Sequence, residues 1–206
     1  MAEHQTSDRD VKKCKRGDYL DLAIGKKPIR IRSNECFRFE MALRPTIYGS
    51  PFFYRLYMLG ILYKSLGVGP RPTLRPLKQP LYDTVRFSPE QTVVSFNLFT
   101  KPVGQAGEDG WSKQVVDTNM MQSSQLGTPT EFDLWGLQAE MNLNSPVSDR
   151  IQFLQDTGFK LVFGNRIWCE GPLSLIPCES TLKDPAIRKE YGVKKKRSRG
   201  RRIQAK

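Results

Sequence analysis

The stretch from residue 159 to residue 177 constrains the fold more than any other part of the chain. In residues 159–163, Phe159, Leu161 and Phe163 alternate with Lys160 and Val162. A second β-prone run follows at residues 166–169. Only Gly164 and Asn165 separate the two runs. Glycine adopts the positive φ of a tight primed turn, and asparagine tolerates an unusual backbone better than most residues. The pattern therefore predicts a β-hairpin in a packed sheet near the end of a domain.

Further strand signals are spread along the chain. Residues 36–43 alternate strictly, which predicts a half-buried strand with one face of Phe37, Phe39, Met41 and Leu43. Shorter β-prone runs lie at residues 29–32, 84–87, 92–99, 111–116, 132–141 and 173–176. At Gly136 we expect a bulge where the buried face of the strand changes. Short helices are expected at residues 146–156 and 184–191, and most other segments read as strand or loop.

Residues 51–66 form the most apolar segment of the chain. Ser50 and Pro51 are a typical helix start, Gly67 is a typical end, and apolar residues occur almost all round. We predict a buried helix here, with a strand pair bent at Gly60 as the alternative. The helix has a second possible role in contacting another subunit or a membrane surface. The residues expected at that interface are Phe52, Phe53, Leu56, Leu59 and Leu62.

Proline and polar segments divide the chain. Four prolines recur between residues 68 and 82, which favours an extended, semi-rigid strap. Residues 117–129 are polar and predict a long ordered loop. We expect three parts: a flexible basic arm at 1–27, a β-sandwich domain at 28–182, and a short helix with a disordered basic tail at 183–206.

Most of the positive charge is concentrated at one end. The formal net charge is +12, but residues 194–206 hold eight Lys or Arg and no acid, which leaves 25 basic and 21 acidic groups elsewhere. Such a run repels itself and stays unfolded alone. On a polyanion it releases counterions and binds without sequence preference. The tail predicts nucleic-acid contact, with a solubilising tail or a nuclear-import signal as alternatives. The expected nucleic-acid-binding residues are Lys194, Lys195, Lys196, Arg197, Arg199, Arg201 and Arg202.

Few residues are suited to catalysis or metal binding. The only histidine is His4, and Cys14, Cys36, Cys169 and Cys178 form no CxxC pair. Zinc sites need clustered thiolates and imidazoles, and nucleophilic catalysis needs a base beside the nucleophile. No phosphate-binding glycine motif is present. We therefore expect no enzyme, no cofactor, no metal and no small-molecule substrate. The polar start of the sequence predicts a reducing, cytoplasmic compartment.

One pattern resembles a known family. Residues 118–129 read TNMMQSSQLGTP and precede the run FDLWGL at 132–137, and a proline-bounded run follows at 173–177. This is similar to predicted capsid proteins of small bacterial viruses, over about residues 90–178. The resemblance implies the fold of the single jelly-roll coat proteins of small icosahedral viruses. The expected fold class is then mainly β: an antiparallel β-sandwich of the single jelly-roll type, with one or two short helices and extended termini.

The resemblance also implies a function. A non-enzymatic capsid subunit would assemble into an icosahedral shell, in the virion or in the host cytoplasm during assembly. Its partners would be copies of itself, other virion proteins, packaged nucleic acid held by the tail, and an internal membrane where one exists. Two alternatives are a basic RNA-binding accessory protein of a ribonucleoprotein and a membrane-associated protein docking through residues 51–66.

Overall fold

The computed structural model describes residues 19–23, 27–44, 49, 51–65, 74–88, 95–141 and 147–178. In these residues the chain is mainly β, with one α-helix, α1 (Val147–Asp156), and a short 3-10 helix (Leu173–Leu175). The strands are β1 (Leu20–Asp21), β2 (Ile29–Ile31), β3 (Phe37–Leu43), β4 (Phe52–Ser65), β5 (Leu74–Leu77), β6 (Leu81–Phe87), β7 (Ser95–Leu98), β8 (Glu131–Met141), β9 (Thr157–Phe163) and β10 (Arg166–Pro172).

The strands form two antiparallel sheets. One sheet has the order β10-β9-β3-β7. In the other, β8 and β4 pair centrally, β1 and β2 flank β8, and β5 and β6 flank β4. The pairing is nested along the chain, because β3 pairs with β9 while β4 pairs with β8. The mainly β, antiparallel sandwich expected from the sequence is confirmed.

A single apolar core joins the two sheets. Every second residue of β3 and of the first half of β4 is buried, as the two-residue period of a strand requires. Phe87 of β6 and Phe96 of β7 belong to different sheets, and their ring centroids lie 4.8 Å apart. Phe153 of α1 packs edge-on against Phe87, with centroids 5.2 Å apart. The helix therefore covers one side of the aromatic core.

The helix predicted at residues 51–66 is wrong. The segment is β4, a single strand of 14 residues, and it is not the bent strand pair either. It pairs with β8 along one edge and with β5 and β6 along the other. A run that is apolar on all sides suits a central strand covered on both faces as well as it suits a buried helix. Long-range pairing decides between them, and the sequence pattern does not show it.

The bulge predicted at Gly136 is confirmed. Leu59 lies opposite Gly136 and Gly60 opposite Leu134, so Trp135 is the extra residue of β8. The buried face changes across this point. It carries Phe132 and Leu134 before the bulge and Leu137, Ala139 and Met141 after it.

Several other expectations are settled. The hairpin of β9 and β10 is confirmed, with Gly164 at φ +56° in the turn, and α1 matches the helix expected at 146–156. Residues 117–129 form the expected ordered loop. The strand predicted at 111–116 is wrong, because residues 111–113 fold back on residues 104–107 inside a loop. At 173–176 the backbone forms the 3-10 helix instead of a strand.

The proline strap predicted at 68–82 is wrong where the structure describes it. Residues 74–77 are β5, which pairs with the end of β4 and places Pro76 opposite Tyr63. Proline is tolerated there because an edge strand has one side without ladder bonds. Most of the expected arm at 1–27, and the helix and tail expected at 183–206, lie outside the described residues.

Candidate interaction surface

The long loop of residues 99–130, between β7 and β8, covers the outer edge of β6. Asn119 Oδ1 accepts a hydrogen bond from the Tyr82 backbone N–H at 2.9 Å, and Asn119 Nδ2 donates to the Pro80 carbonyl at 2.8 Å. Thr118 Oγ1 donates to the Tyr82 carbonyl at 3.1 Å. An open strand edge presents unpaired backbone groups. Thr118 and Asn119, which begin the motif that carries the family resemblance, therefore have a structural role in closing this edge.

A buried ion pair fixes the next part of the loop. Lys113 Nζ lies 2.9 Å from Asp83 Oδ1 and also donates to the Thr84 carbonyl. Asp83 accepts further hydrogen bonds from the backbone N–H groups of Thr84, at 2.9 Å, and Phe99, at 2.6 Å. Burial raises the pKa of Asp83 above its ordinary value, although Lys113 and these amides act in the opposite direction. At Thr84 the lysine therefore supplies the hydrogen-bond donor that a neighbouring strand would otherwise supply.

Arg86 makes the third attachment of the loop to β6. Its backbone N–H donates to Asp109 Oδ2 at 2.9 Å, and its guanidinium forms an ion pair with Asp117. The guanidinium also stacks over Trp111, with 4.9 Å between Cζ and the ring centroid. Charge-assisted bonds are stronger than neutral ones. The loop is therefore held at Tyr82, Thr84 and Arg86, which are alternate residues of β6.

Large apolar side chains on this anchored loop remain exposed. The exposed fractions are 50% for Trp111, 66% for Val115, 65% for Val116 and 79% for Met121. The two valines are fixed at their carbonyls: Tyr82 Oη donates to that of Val115 at 2.6 Å, and an Arg55 guanidinium N–H donates to that of Val116 at 2.8 Å. All four side chains lie within residues 111–121 of one anchored loop, and such a concentration of exposed apolar groups marks a candidate interaction site. We call Trp111, Val115, Val116 and Met121 the loop patch.

A shallow cavity adjoins the loop patch. It measures about 240 Å³ and is lined by Arg55, Tyr57, Tyr82 and Val116. Tyr57 Oη donates to Glu140 at 2.7 Å, and burial together with this bond raises the pKa of the phenol. Arg55 donates to Thr84 Oγ1 at 2.9 Å. With these polar groups engaged inside the domain, the cavity offers a partner mainly aromatic and aliphatic surface.

The interface predicted on residues 51–66 is only partly available. Phe52, Leu56 and Leu62 are buried in the core of their own domain, so the prediction that they contact a partner or a membrane is wrong. Phe53 and Leu59 lie half-buried on the opposite face of β4. Because side chains alternate between the two faces of a strand, Phe52, Leu56 and Leu62 lie on one face of β4 and Phe53 and Leu59 on the other.

The predicted nucleic-acid-binding residues, 194–202, lie outside the described residues. The sequence reasoning missed the loop patch, because it assigned residues 111–116 to a strand. The available signal was Val115-Val116 directly before the polar run that begins at Asp117, with Met121 inside that run.

Metal and membrane sites were also sought in the described residues. They contain no group of three or more His, Cys, Asp or Glu side chains arranged to hold a metal ion. None of their helices is long and apolar enough to cross a bilayer.

Comparison with family models, with curated proteins and with solved structures gives no match. What the loop patch and the tail do is therefore inferred from their own chemistry.

Proposed function

We propose that this chain is a non-enzymatic structural protein: a subunit of an icosahedral viral shell that touches packaged nucleic acid through residues 194–206. The observation that carries the proposal is the loop patch. The loop that carries these apolar side chains is anchored to β4 and β6 by hydrogen bonds and ion pairs, and burial of the side chains would gain about 25 cal/mol for each Å² removed from water. A second copy or another shell protein covers them in the assembled state.

The fold supports the same function. A shell subunit needs a rigid body with loops that contact neighbours, and a β-sandwich with nested strand pairing supplies it. The buried Asp83–Lys113 pair and the Arg86–Asp117 pair attach the 99–130 loop to β6. A preformed contact surface reduces the entropy lost when subunits associate.

The tail supplies the second activity of the proposal. The eight Lys or Arg of residues 194–206 would neutralise phosphates without reading bases. A ribonucleoprotein accessory protein would use its tail in the same way, so tail binding alone does not separate the two functions. The nucleic acid that co-purifies separates them: one packaged species for a shell protein, ribosomal RNA for an accessory protein.

The direct test is assembly of the full-length chain. We expect closed particles of uniform diameter by electron microscopy and a fast, salt-dependent boundary in sedimentation velocity. A chain that stays monomeric across the whole range of salt and protein concentration would refute the proposal.

A matched pair of variants tests the loop patch. Val115→Asp with Val116→Asp places two charges on the patch, and we expect it to abolish particles. Ser148→Asp with Gln152→Asp adds the same charge at exposed positions of α1 and should assemble normally. Both proteins should unfold at nearly the same urea concentration, because all four side chains face solvent. Particles of normal yield from the valine variant would exclude the patch as a contact.

A further inference from the structure

The end of β4 and its partner β5 come from a part of the chain that holds no acid. Residues 41–82 contain six Lys or Arg and no Asp or Glu. The pairing of β4 with β8 ends at Tyr63, and the last two residues of β4, Lys64 and Ser65, pair with β5 alone. The end of β4 and β5 therefore form a two-stranded ribbon at the margin of the six-stranded sheet.

Two basic residues stand directly opposite each other on this ribbon. Lys64 of β4 is the cross-strand partner of Arg75 of β5, so their side chains project from the same face. Both residues are exposed. Lys78, which is also exposed, follows Arg75 by three residues, a span of at most about 10 Å. We call Lys64, Arg75 and Lys78 the ribbon cluster.

The ribbon cluster differs from most other bases of the sheets in having no acid beside it. The paired bases are found in Arg30–Asp133, Arg38–Glu40, Arg55–Glu140, Arg86–Asp117 and Lys160–Glu170. Among the residues that the structure describes, no carboxylate lies within ion-pair distance of Lys64, Arg75 or Lys78. Glu131 of β8 lies opposite Tyr63, so it faces the other side of β4 from Lys64.

The Lys64–Arg75 pair therefore carries an uncompensated repulsion. Like charges directly opposite each other across two strands are unfavourable. A phosphate between the two side chains would accept charge-assisted hydrogen bonds from both and so offset the repulsion. Three bases spread along a ribbon match a row of phosphates, whereas a single carboxylate would neutralise only one of them.

We infer that the ribbon cluster binds the phosphate backbone of nucleic acid, as a site on the folded domain separate from the basic tail. A lipid surface fits less well, because membrane binding by a basic face also needs large apolar side chains beside the charges. The described part of the ribbon exposes only Leu77 of that kind, at 37%. The inference deepens the proposed function by adding a second contact to that of residues 194–206, and it rests on that function only for the source of the nucleic acid.

Binding of the full-length chain to a single-stranded oligonucleotide, measured by fluorescence anisotropy over a salt series, tests the site. Lys64→Gln with Arg75→Gln should weaken binding about tenfold at low salt. The same change should flatten the slope of log K against log salt by about 1.4, which is about 0.7 for each of two lost phosphate contacts. Lys64→Arg with Arg75→Lys keeps both charges and should bind as the parent does.

Two controls separate this site from net charge and from damage to the fold. Arg32→Gln with Arg166→Gln removes the same charge at two other exposed positions and should change binding clearly less. In urea, the Lys64→Gln, Arg75→Gln protein should unfold at the same concentration as the parent or a higher one, because the change removes a repulsive pair.

Three results would overturn the inference: unchanged oligonucleotide binding by the Lys64→Gln, Arg75→Gln protein, an equal loss in the Arg32, Arg166 control, or a loss confined to phosphatidylserine vesicles. Its failure is distinguishable from that of the proposed function. Unchanged binding would remove the ribbon cluster and leave both the particles and the tail contact. Binding that depends on the cluster, in a chain that never forms particles, would support the site and refute the shell.

Discussion

Lys113 Nζ lies 2.9 Å from Asp83 Oδ1, with the side chains only 5% and 1% exposed. The two residues are thirty positions apart, one on β6 and one in the 99–130 loop. The ammonium also donates to the Thr84 carbonyl, so one side chain compensates the Asp83 charge and completes the edge of β6. Such a pair sets where the loop lies, because either charge alone would be buried without compensation.

Removing the lysine tests this role. Lys113→Met keeps most of the side-chain volume but leaves the Asp83 carboxylate without its cation, and we expect a loss of about 3–5 kcal/mol in the free energy of unfolding at neutral pH. Urea denaturation measures it. Lys101→Met, a half-buried lysine of the same loop, is the control and should change stability by less than about 1 kcal/mol.

The pH dependence of the same variant gives an independent result. Burial already raises the pKa of Asp83, and loss of Lys113 raises it further. An acid whose folded-state pKa is above its unfolded value binds more protons when folded, so stability rises as the pH falls through the folded-state pKa. The deficit of Lys113→Met should therefore shrink between pH 7 and pH 4. A deficit that is constant with pH would mean that Asp83 stays charged or is reached by water.

For Asp133 we expect the opposite dependence of stability on pH. Arg30 donates to both of its carboxylate oxygens, at 2.7 and 2.9 Å, and these bonds lower the pKa of Asp133 below its ordinary 3.8. Its contribution to stability is complete above the unfolded pKa and is lost as the pH falls through the folded-state value. Asp133→Asn should therefore lower stability at pH 6 and flatten the acid limb of a stability profile from pH 6 to pH 2.

Asp156→Asn serves as the control for this profile. It removes one carboxylate from the chain but leaves the Arg30–Asp133 pair intact, so the acid limb should keep its slope. An Asp133→Asn profile as steep as that of the parent protein would show that the pair does not shape the acid limb.

Gly60 shows how closely β4 and β8 approach at the bulge. A Cβ atom at this position would meet the Asp133 carbonyl and the buried ring of Phe132. Gly60→Ala should therefore destabilise the domain by about 1–3 kcal/mol, the usual cost of overpacking. At Gly127 a Cβ would lie 3.7 Å from the Gln122 side chain, which is ordinary contact, so Gly127→Ala should be nearly neutral. Equal effects of the two changes in urea denaturation would contradict the packing at the bulge.

The sequence predicted those features of the fold that are set by residues close together in the chain, and missed those that depend on long-range contacts. Gly164 with Asn165 defines the β9–β10 turn within four residues, and Gly136 marks a bulge, so both were predictable. β4 was not, because its apolar faces are consistent with a helix until β8 and β6 lie beside it. The site shows the same division: the polar 117–129 loop was predicted as ordered, but its attachment through Asp83 and Lys113 joins residues far apart in sequence. The loop patch depends on that attachment.

Strand alternation in β4 can be tested directly. Leu56 is fully buried and Leu59 is half-buried on the opposite face. Leu56→Ala should lower the free energy of unfolding by about 2–5 kcal/mol, because it leaves a cavity in a closed core. Leu59→Ala should lower it clearly less. In a helix, residues three apart lie on the same face, and the two changes would have similar effects. Similar losses in urea denaturation would therefore count against the strand.

Nucleic-acid binding by the tail is testable by truncation. The last described residue is Cys178, which forms a β-bridge with Ala139 of β8, so deletion of residues 193–206 keeps every residue that the structure describes. We expect an unchanged unfolding midpoint and much weaker binding to a single-stranded oligonucleotide. The slope of log K against log salt should also flatten, by about 0.7 for each lost phosphate contact on a single strand. A chain with residues 193–206 in shuffled order is the control, and it should bind as the parent does because phosphate contacts carry no sequence information. An unchanged slope after truncation would place the binding elsewhere on the chain.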